Sequence, residues 1–209
     1  GTEGVVEDAG GRPNGELQEV PAMMLTPALR TLAGLLGEEA SYWRLGRQAV
    51  NGGVTTLTDL ASLAVLDPRR AETSRRIAED PAFPARLVHY CVPAMGSAPP
   101  DGAAFAERFL ALQATSTPKH RFGGIKIVAD GSIQGYTAVL RWPGYVNGAP
   151  NGLWQVPPDR LPEMVRTFHE RGINVHVHCN GDEVVEAMID AVDQALRGHA
   201  WLDHRHTVQ

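Results

Sequence analysis

From Thr26 onward the chain alternates helix-like and strand-like segments five times, and that alternation limits the fold more than any single residue does. "TPALRTLAGLL" and "EEASYWRLGRQAVNGG" have apolar residues at helical spacing, with Gly52 and Gly53 as a stop, and "VTTLTDL" follows as a short β-branched strand. In "DPRRAETSRRIAED", Asp67 caps and Pro68 opens a helix whose mixed charges suit a solvated face, and "ARLVHYCV" is the next strand. "DGAAFAERFLALQAT" leads into "GGIKIVAD", and "PPDRLPEMVRTFHERG" into "INVHVH". "DEVVEAMIDAVDQALRG" puts Val184, Met188, Ala191, Val192 and Ala195 on one helix face, with Asp182 and Glu183 in the first turn, and "HRHTVQ" begins a last strand. Strands separated by helices predict a parallel sheet and an α/β fold.

Such units close into a barrel or stay open and doubly wound. No G-x-G-x-x-G follows a strand, so the dinucleotide-binding open sheet has no support. A (β/α)8 barrel of the TIM type needs eight units and about 250 residues, so five strands in 209 residues predict an incomplete barrel. The expected division is a loop-rich lead-in over 1–25, holding a short strand or turn, and a partial barrel domain over 26–209. The first residue is Gly rather than Met, which suggests a processed or excised piece.

A net charge of -5 and a pI near 5.9 give no electrostatic reason for a nucleic-acid partner. No apolar run reaches the roughly 18 residues of a membrane span, and the N-terminus lacks the basic and apolar regions of a signal peptide. A cytoplasmic protein without membrane contact is therefore expected. Two cysteines, Cys91 and Cys179, are too few for a disulfide framework.

The chemistry-bearing residues gather on the later strands. In "INVHVHCNGDE", Asn174, His176 and His178 share one strand face, and the break at Cys179–Gly181 leaves His178 at the C-terminal end, where barrel enzymes place reacting groups. Both histidines could be metal ligands or satisfied core residues. In "GGIKIVADGS", Lys126, Val128 and Asp130 alternate with Ile125 and Ile127, which predicts a lysine pointing into the barrel. One reading pairs Lys126 with Asp130 as a buried ion pair; the other gives a desolvated amine able to take up carbon dioxide as a carbamate that bridges two metal ions. His204 and His206 share a face of the last segment. Cys179 reads as a spectator thiol, since no oriented base is readable beside it. The long stretch from Gly131 to Val156 carries Trp142, Tyr145 and Trp154, a candidate pocket wall or lid with aromatic packing as its plainer alternative.

Taken in order, "PNGELQE", "NGGVTTLTD", "GGIKIVADGSIQGYTA", "HVHCNGDEVVEAMIDA" and "DHRHTVQ" resemble the amidohydrolase superfamily, specifically its family 3 branch, which includes N-substituted formamide deformylases. The resemblance implies a (β/α)8 barrel beside a small β-sandwich, with one or two divalent ions, usually zinc. It also implies an H-x-H on the first barrel strand, a lysine (often carboxylated) on the fourth, single histidines on the fifth and sixth, and an aspartate on the eighth. By position, Lys126 matches the fourth-strand lysine and His178 the fifth-strand histidine. Arg205 and His206 match an Arg-His pair whose ligand would fall one position beyond Gln209. His176 is then not a ligand.

The implied activity is hydrolysis of a C–N bond in a small-molecule amide, formamide or cyclic amide by metal-activated hydroxide. Lys126 and His178 are the expected metal ligands, with Asp130 orienting Lys126, and Tyr136, Trp142 and Trp154 shaping the substrate pocket. The chain departs from the pattern in lacking the first-strand H-x-H, the sixth-strand ligand, the eighth-strand aspartate and the sandwich. Tyr136 also stands where many members carry a basic residue. The alternative is a non-catalytic barrel fragment or binding module, whose open strand edges favour self-association.

Overall fold

The computed structural model describes residues 3–35, 37–93 and 101–209. Leu36, which falls inside the expected "TPALRTLAGLL" helix, and the first two residues of the lead-in lie outside them. Strands β1 (Val5–Glu7) and β2 (Pro13–Leu17) form an antiparallel pair, followed by helices α1 (Glu19–Met23), α2 (Pro27–Leu35) and α3 (Glu39–Asn51). Then come β3 (Thr56–Ser62), α4 (Pro68–Glu79), β4 (Arg86–Cys91), α5 (Gly102–Gln113), β5 (His120–Val128), α6 (Leu161–His169), β6 (Val175–His178), α7 (Asp182–Gly198) and β7 (Thr207–Val208).

The sheet is five-stranded, every neighbouring pair is parallel, and its order is β3-β4-β5-β6-β7, the same as the order in the chain. A doubly wound sheet reverses its strand order at a switch point, whereas this one advances in a single direction. With the crossover handedness fixed, that puts the helices on one face and leaves the other for a barrel interior. The fold is an incomplete TIM-barrel-like α/β structure.

Burial follows from this layering. Ile125, Ile127, Val175 and Val177 face the helices at 2% exposure or less, packed with Phe105 and Phe109 of α5, Val165 and Phe168 of α6, and Val184 and Met188 of α7. A second cluster joins Ala49 of α3, Ile77 and Ala78 of α4, and Leu87 of β4 around Phe83, whose ring meets Trp43 edge-on at 5.6 Å. The helix starts obey local chemistry: Asp67 accepts from the Arg69 amide ahead of Pro68, and Asp101 accepts from the Ala104 amide at 2.9 Å.

Several boundaries differ from expectation, β5 among them, which begins at His120 ahead of Gly123 and Gly124. The lead-in is built around the β1–β2 hairpin, with Gly15 at φ +97 inside β2. Helix α6 begins at Leu161, after residues 157–160 have made a turn, so Pro162 rather than Pro158 sits in its first turn. The last strand starts at Thr207, because Arg205 adopts φ +52 and breaks the extended run from His204. Among the described residues no helix is long and apolar enough to cross a membrane.

Candidate active site at the strand ends

The parallel register decides which side chains meet. Lys126 pairs with His176 and Val128 with His178 across β5 and β6, and His176 pairs with Thr207 across β6 and β7. Gln209 continues that ladder, donating its amide to Val177 O and accepting from Cys179 N, both at 2.9 Å. Lys126, His176, His178 and Gln209 therefore share the face away from the helices.

Lys126 is 5% exposed, and its Nζ donates to Gln209 Oε1. Burial lowers its pKa below the ordinary lysine value, opposed in part by the Cys179 thiol. The Lys126–Asp130 ion pair is not present, which corrects both the ion-pair expectation and the orienting role given to Asp130. Fully buried Asp130 instead accepts three backbone amides: Asn180 at 2.9 Å on Oδ1, with Gly181 at 2.8 Å and Val139 at 3.1 Å on Oδ2. The alternation argument failed because β5 ends at Val128, and a two-residue period holds only inside a strand. Asp130 thus locks the turn after β6 onto the segment around Val139, two loops that shape the mouth of the sheet.

His178 is half-buried, its Nε2 3.2 Å from Gly131 O and 3.0 Å from Asn180 Nδ2, while Asn180 Nδ2 donates to Gly131 O at 2.8 Å. His176, one layer deeper, lies against Tyr90 with ring centroids 4.1 Å apart. Burial, then the nearby Lys126, lower its pKa. Lys126 and His178 fit one flank of a metal centre, a nitrogen donor pair on adjacent strands with no carboxylate taking up the lysine. They do not make a whole one: among the described residues no group of three or more His, Cys, Asp or Glu side chains could hold a metal ion.

The three expected aromatic residues each have their own surroundings. Trp142 is 94% exposed, Trp154 packs against the main core, and Tyr136, at φ +57, meets Tyr145 edge-on at 5.2 Å. Tyr145 donates its hydroxyl to Ala138 O at 3.0 Å. A cavity of about 550 Å3 lies on the helix side of β3, lined by Tyr42, Leu57, Asp59 and His89 among others and by none of the three expected residues.

The second histidine group lies at the opposite end of the sheet. Val175 N–H donates to His206 Nδ1 at 3.0 Å, so a neutral His206 carries its proton on Nε2 and donates to His169 Nδ1 at 2.9 Å. His169 then donates from Nε2 to His199 O at 2.6 Å, tying α6 and the end of α7 to β6. His204 stacks on His206 with centroids 4.6 Å apart and takes the His206 amide on Nδ1. Burial, followed by His204 and His169, pulls the pKa of His206 down to about 4. Burial does the same to His120, whose Nε2 meets Ser74 Oγ at 2.9 Å.

For both groups the folded value lies below the ordinary histidine value of 6.5, so the unfolded chain takes up protons first. Their contribution is complete above pH 6.5 and is lost as pH falls toward 4. Urea midpoints measured at pH 7.5 and 4.5 are expected to drop in the native chain, and to drop less in His206→Gln; equal drops would contradict the assignment.

Sequence reasoning missed Gln209 as the partner of Lys126, and Asn180 and Gly131 as the partners of His178. A glutamine is uninformative until β7 is placed beside β5 and β6. The "CNGD" break at the strand end was the available signal for Asn180.

Comparison with known proteins agrees with this architecture. The sequence matches the amidohydrolase family over residues 2–209. Among curated proteins it is 33% identical over 88 residues to "Putative amidohydrolase YtcJ" of Bacillus subtilis (strain 168), a match covering 42% of this chain and 17% of that protein. Among solved structures, an uncharacterized metal-dependent hydrolase from Pyrococcus furiosus superposes with a TM-score of 0.55 at 19% identity, over 75% of this chain and 30% of that one. Another from Pyrococcus horikoshii OT3 gives 0.53 at 16% identity, over 72% and 29%. The chain thus spans less than a third of each of these solved structures and a smaller share of the curated relative.

Proposed function

The chain belongs to the amidohydrolase family, and we propose on that premise that the whole protein is a metal-dependent hydrolase of a non-peptide C–N bond, in an amide, formamide or cyclic amide. The observation that carries this reading is that Lys126 and His178 share one face of the sheet, one register step apart. Both sit on the interior face near the C-terminal ends of adjacent parallel strands, and the lysine is buried with an amide rather than a carboxylate as its partner. Active sites of (β/α)8 barrels lie at that end.

A bound divalent ion, zinc in this proposal, would supply Lewis-acid activation of water and of the scissile carbonyl. The chain's own residues prepare for it. Desolvation favours the free amine of Lys126, which can add to carbon dioxide, forming an N–C bond with loss of one proton. The resulting carbamate is an anionic oxygen donor for one or two ions. His178 offers an imidazole nitrogen, held in place by Asn180 and Gly131. Lys126 and His178 would need further donors, since among the described residues no three-donor group is present. Trp142, fully exposed on the loop after β5, is free to meet a small-molecule substrate. This reading places the protein in the cytoplasm, where the buried free thiols Cys91 and Cys179 stay reduced.

The test is a substrate panel of N-substituted formamides, simple amides and cyclic amides, given to the zinc-loaded whole protein with product amine or acid measured. Hydrolysis of at least one class that stops on chelation supports the reading; no turnover of any class overturns it. A second reading, a binding module, draws on the absence of a three-donor group among the described residues. Strands β3 and β7 are the sheet's edges, so that reading predicts a concentration-dependent oligomer by sedimentation.

A further inference from the structure

The "PNGELQE" motif ends on Glu19, which nothing above uses, and three observations place this residue at the site. First, Glu19 has φ +69, a left-handed conformation that costs a side-chain-bearing residue free energy and that collects where surrounding structure enforces it. Second, its Oε1 accepts the hydroxyl of Thr137, 118 residues away, and Thr137 is only 2% exposed. Third, Thr137 is the clasp of the loop after β5: its Oγ1 accepts Ser132 N at 2.8 Å and its carbonyl accepts Gly131 N at 3.1 Å.

Tyr136, next to Thr137, is also at positive φ, so backbone strain flanks both ends of the Glu19–Thr137 contact. Gly131 is wedged between the two. A Cβ there would overlap both Thr137 Oγ1 and Glu19 Oε1, so only glycine fits. The carbonyl of that same Gly131 faces His178 Nε2 at 3.2 Å and accepts from Asn180. A single residue therefore separates the Glu19 carboxylate from His178.

We propose that Glu19 is a positioning residue for His178, acting through Thr137 and Gly131 to hold the 131–137 loop against the imidazole. This rests on the metal-hydrolase reading only for its effect on rate, so one readout is independent of activity. In the whole protein, diethylpyrocarbonate modification of His178 is followed by peptide mass spectrometry, with fully buried His120 as the internal control for global unfolding.

Glu19→Ala and Thr137→Val are expected to speed modification of His178 about tenfold, as a local opening does, while His120 stays protected. Glu19→Gln keeps the acceptor oxygen and is expected to behave as the native protein. If the whole protein hydrolyses an amide, Glu19→Ala also lowers kcat about a hundredfold, the effect of a misplacement near one ångström, with KM little changed. Should Glu19→Ala fail to fold, Thr137→Val and Glu19→Gln still decide. Native modification rates at His178 in Thr137→Val would overturn the proposal, as would a rate in Glu19→Gln no slower than in Glu19→Ala.

Discussion

Lys126→Met is expected to lower amide hydrolysis by the metal-loaded whole protein at least about a thousandfold while leaving the melting temperature of the metal-free protein unchanged or higher. The two halves rest on different physics. An interior lysine whose pKa is lowered by burial pays desolvation in its charged form, and its observed partner is the neutral amide of Gln209. Below the folded pKa both states are charged and the penalty is complete. As pH rises toward 10.5 it fades, so stability contributed by this group increases with pH. Methionine matches the length of the lysine stem and removes the penalty at neutral pH. The loss in rate follows from losing a ligand of the proposed ion, since activation of water by a metal supplies several kcal/mol of transition-state stabilisation. A melting scan of the metal-free protein beside a rate measurement separates the halves. A large fall in melting temperature would show Lys126 to be structural, and a rate within about tenfold of native would remove it from the site.

Asp130→Ala carries the largest expected loss of stability. The native carboxylate accepts amides from Val139, Asn180 and Gly181 at 0% exposure, and alanine would leave those donors without their acceptor. With about 1.5–3 kcal/mol per charge-assisted hydrogen bond and incomplete additivity, a cost of about 4–6 kcal/mol is expected. For a chain of this size that lowers the melting temperature by roughly 10–20 °C. Asp130→Asn should recover little of it, because an amide nitrogen in place of Oδ2 would face two N–H donors. Differential scanning calorimetry of both variants checks this, and a shift under about 3 °C for Asp130→Ala would mean that other groups hold these loops.

The five strands and the helices between them were readable because apolar periodicity, Pro68 at a helix start and Gly52–Gly53 after a helix are local signals. Alternation and resemblance single out Lys126 and His178, and the register of β5 and β6 puts them on one face. What failed was everything that depends on a change of direction. Alternation makes Asp130 a continuation of the Lys126 face, but the chain leaves the strand after Val128 and the carboxylate turns to backbone amides. Tyr136, Trp142 and Trp154 are close in sequence, yet their surroundings differ: one meets Tyr145 edge-on, one is exposed and one packs against the core. Gln209 and Glu19 reach the site from 83 and 118 residues away from their partners, separations at which no local pattern carries information.

On the proposed function, Lys126 and His178 are two ligands of one metal centre. The most direct test of this is metal stoichiometry by inductively coupled plasma mass spectrometry on the dialysed whole protein, compared with Lys126→Met and His178→Ala. At least one divalent ion per native chain is expected, with half or more of the bound metal lost in each variant, while the metal-free native protein and variants melt close to one another. Native metal content in both folded variants would contradict the assignment.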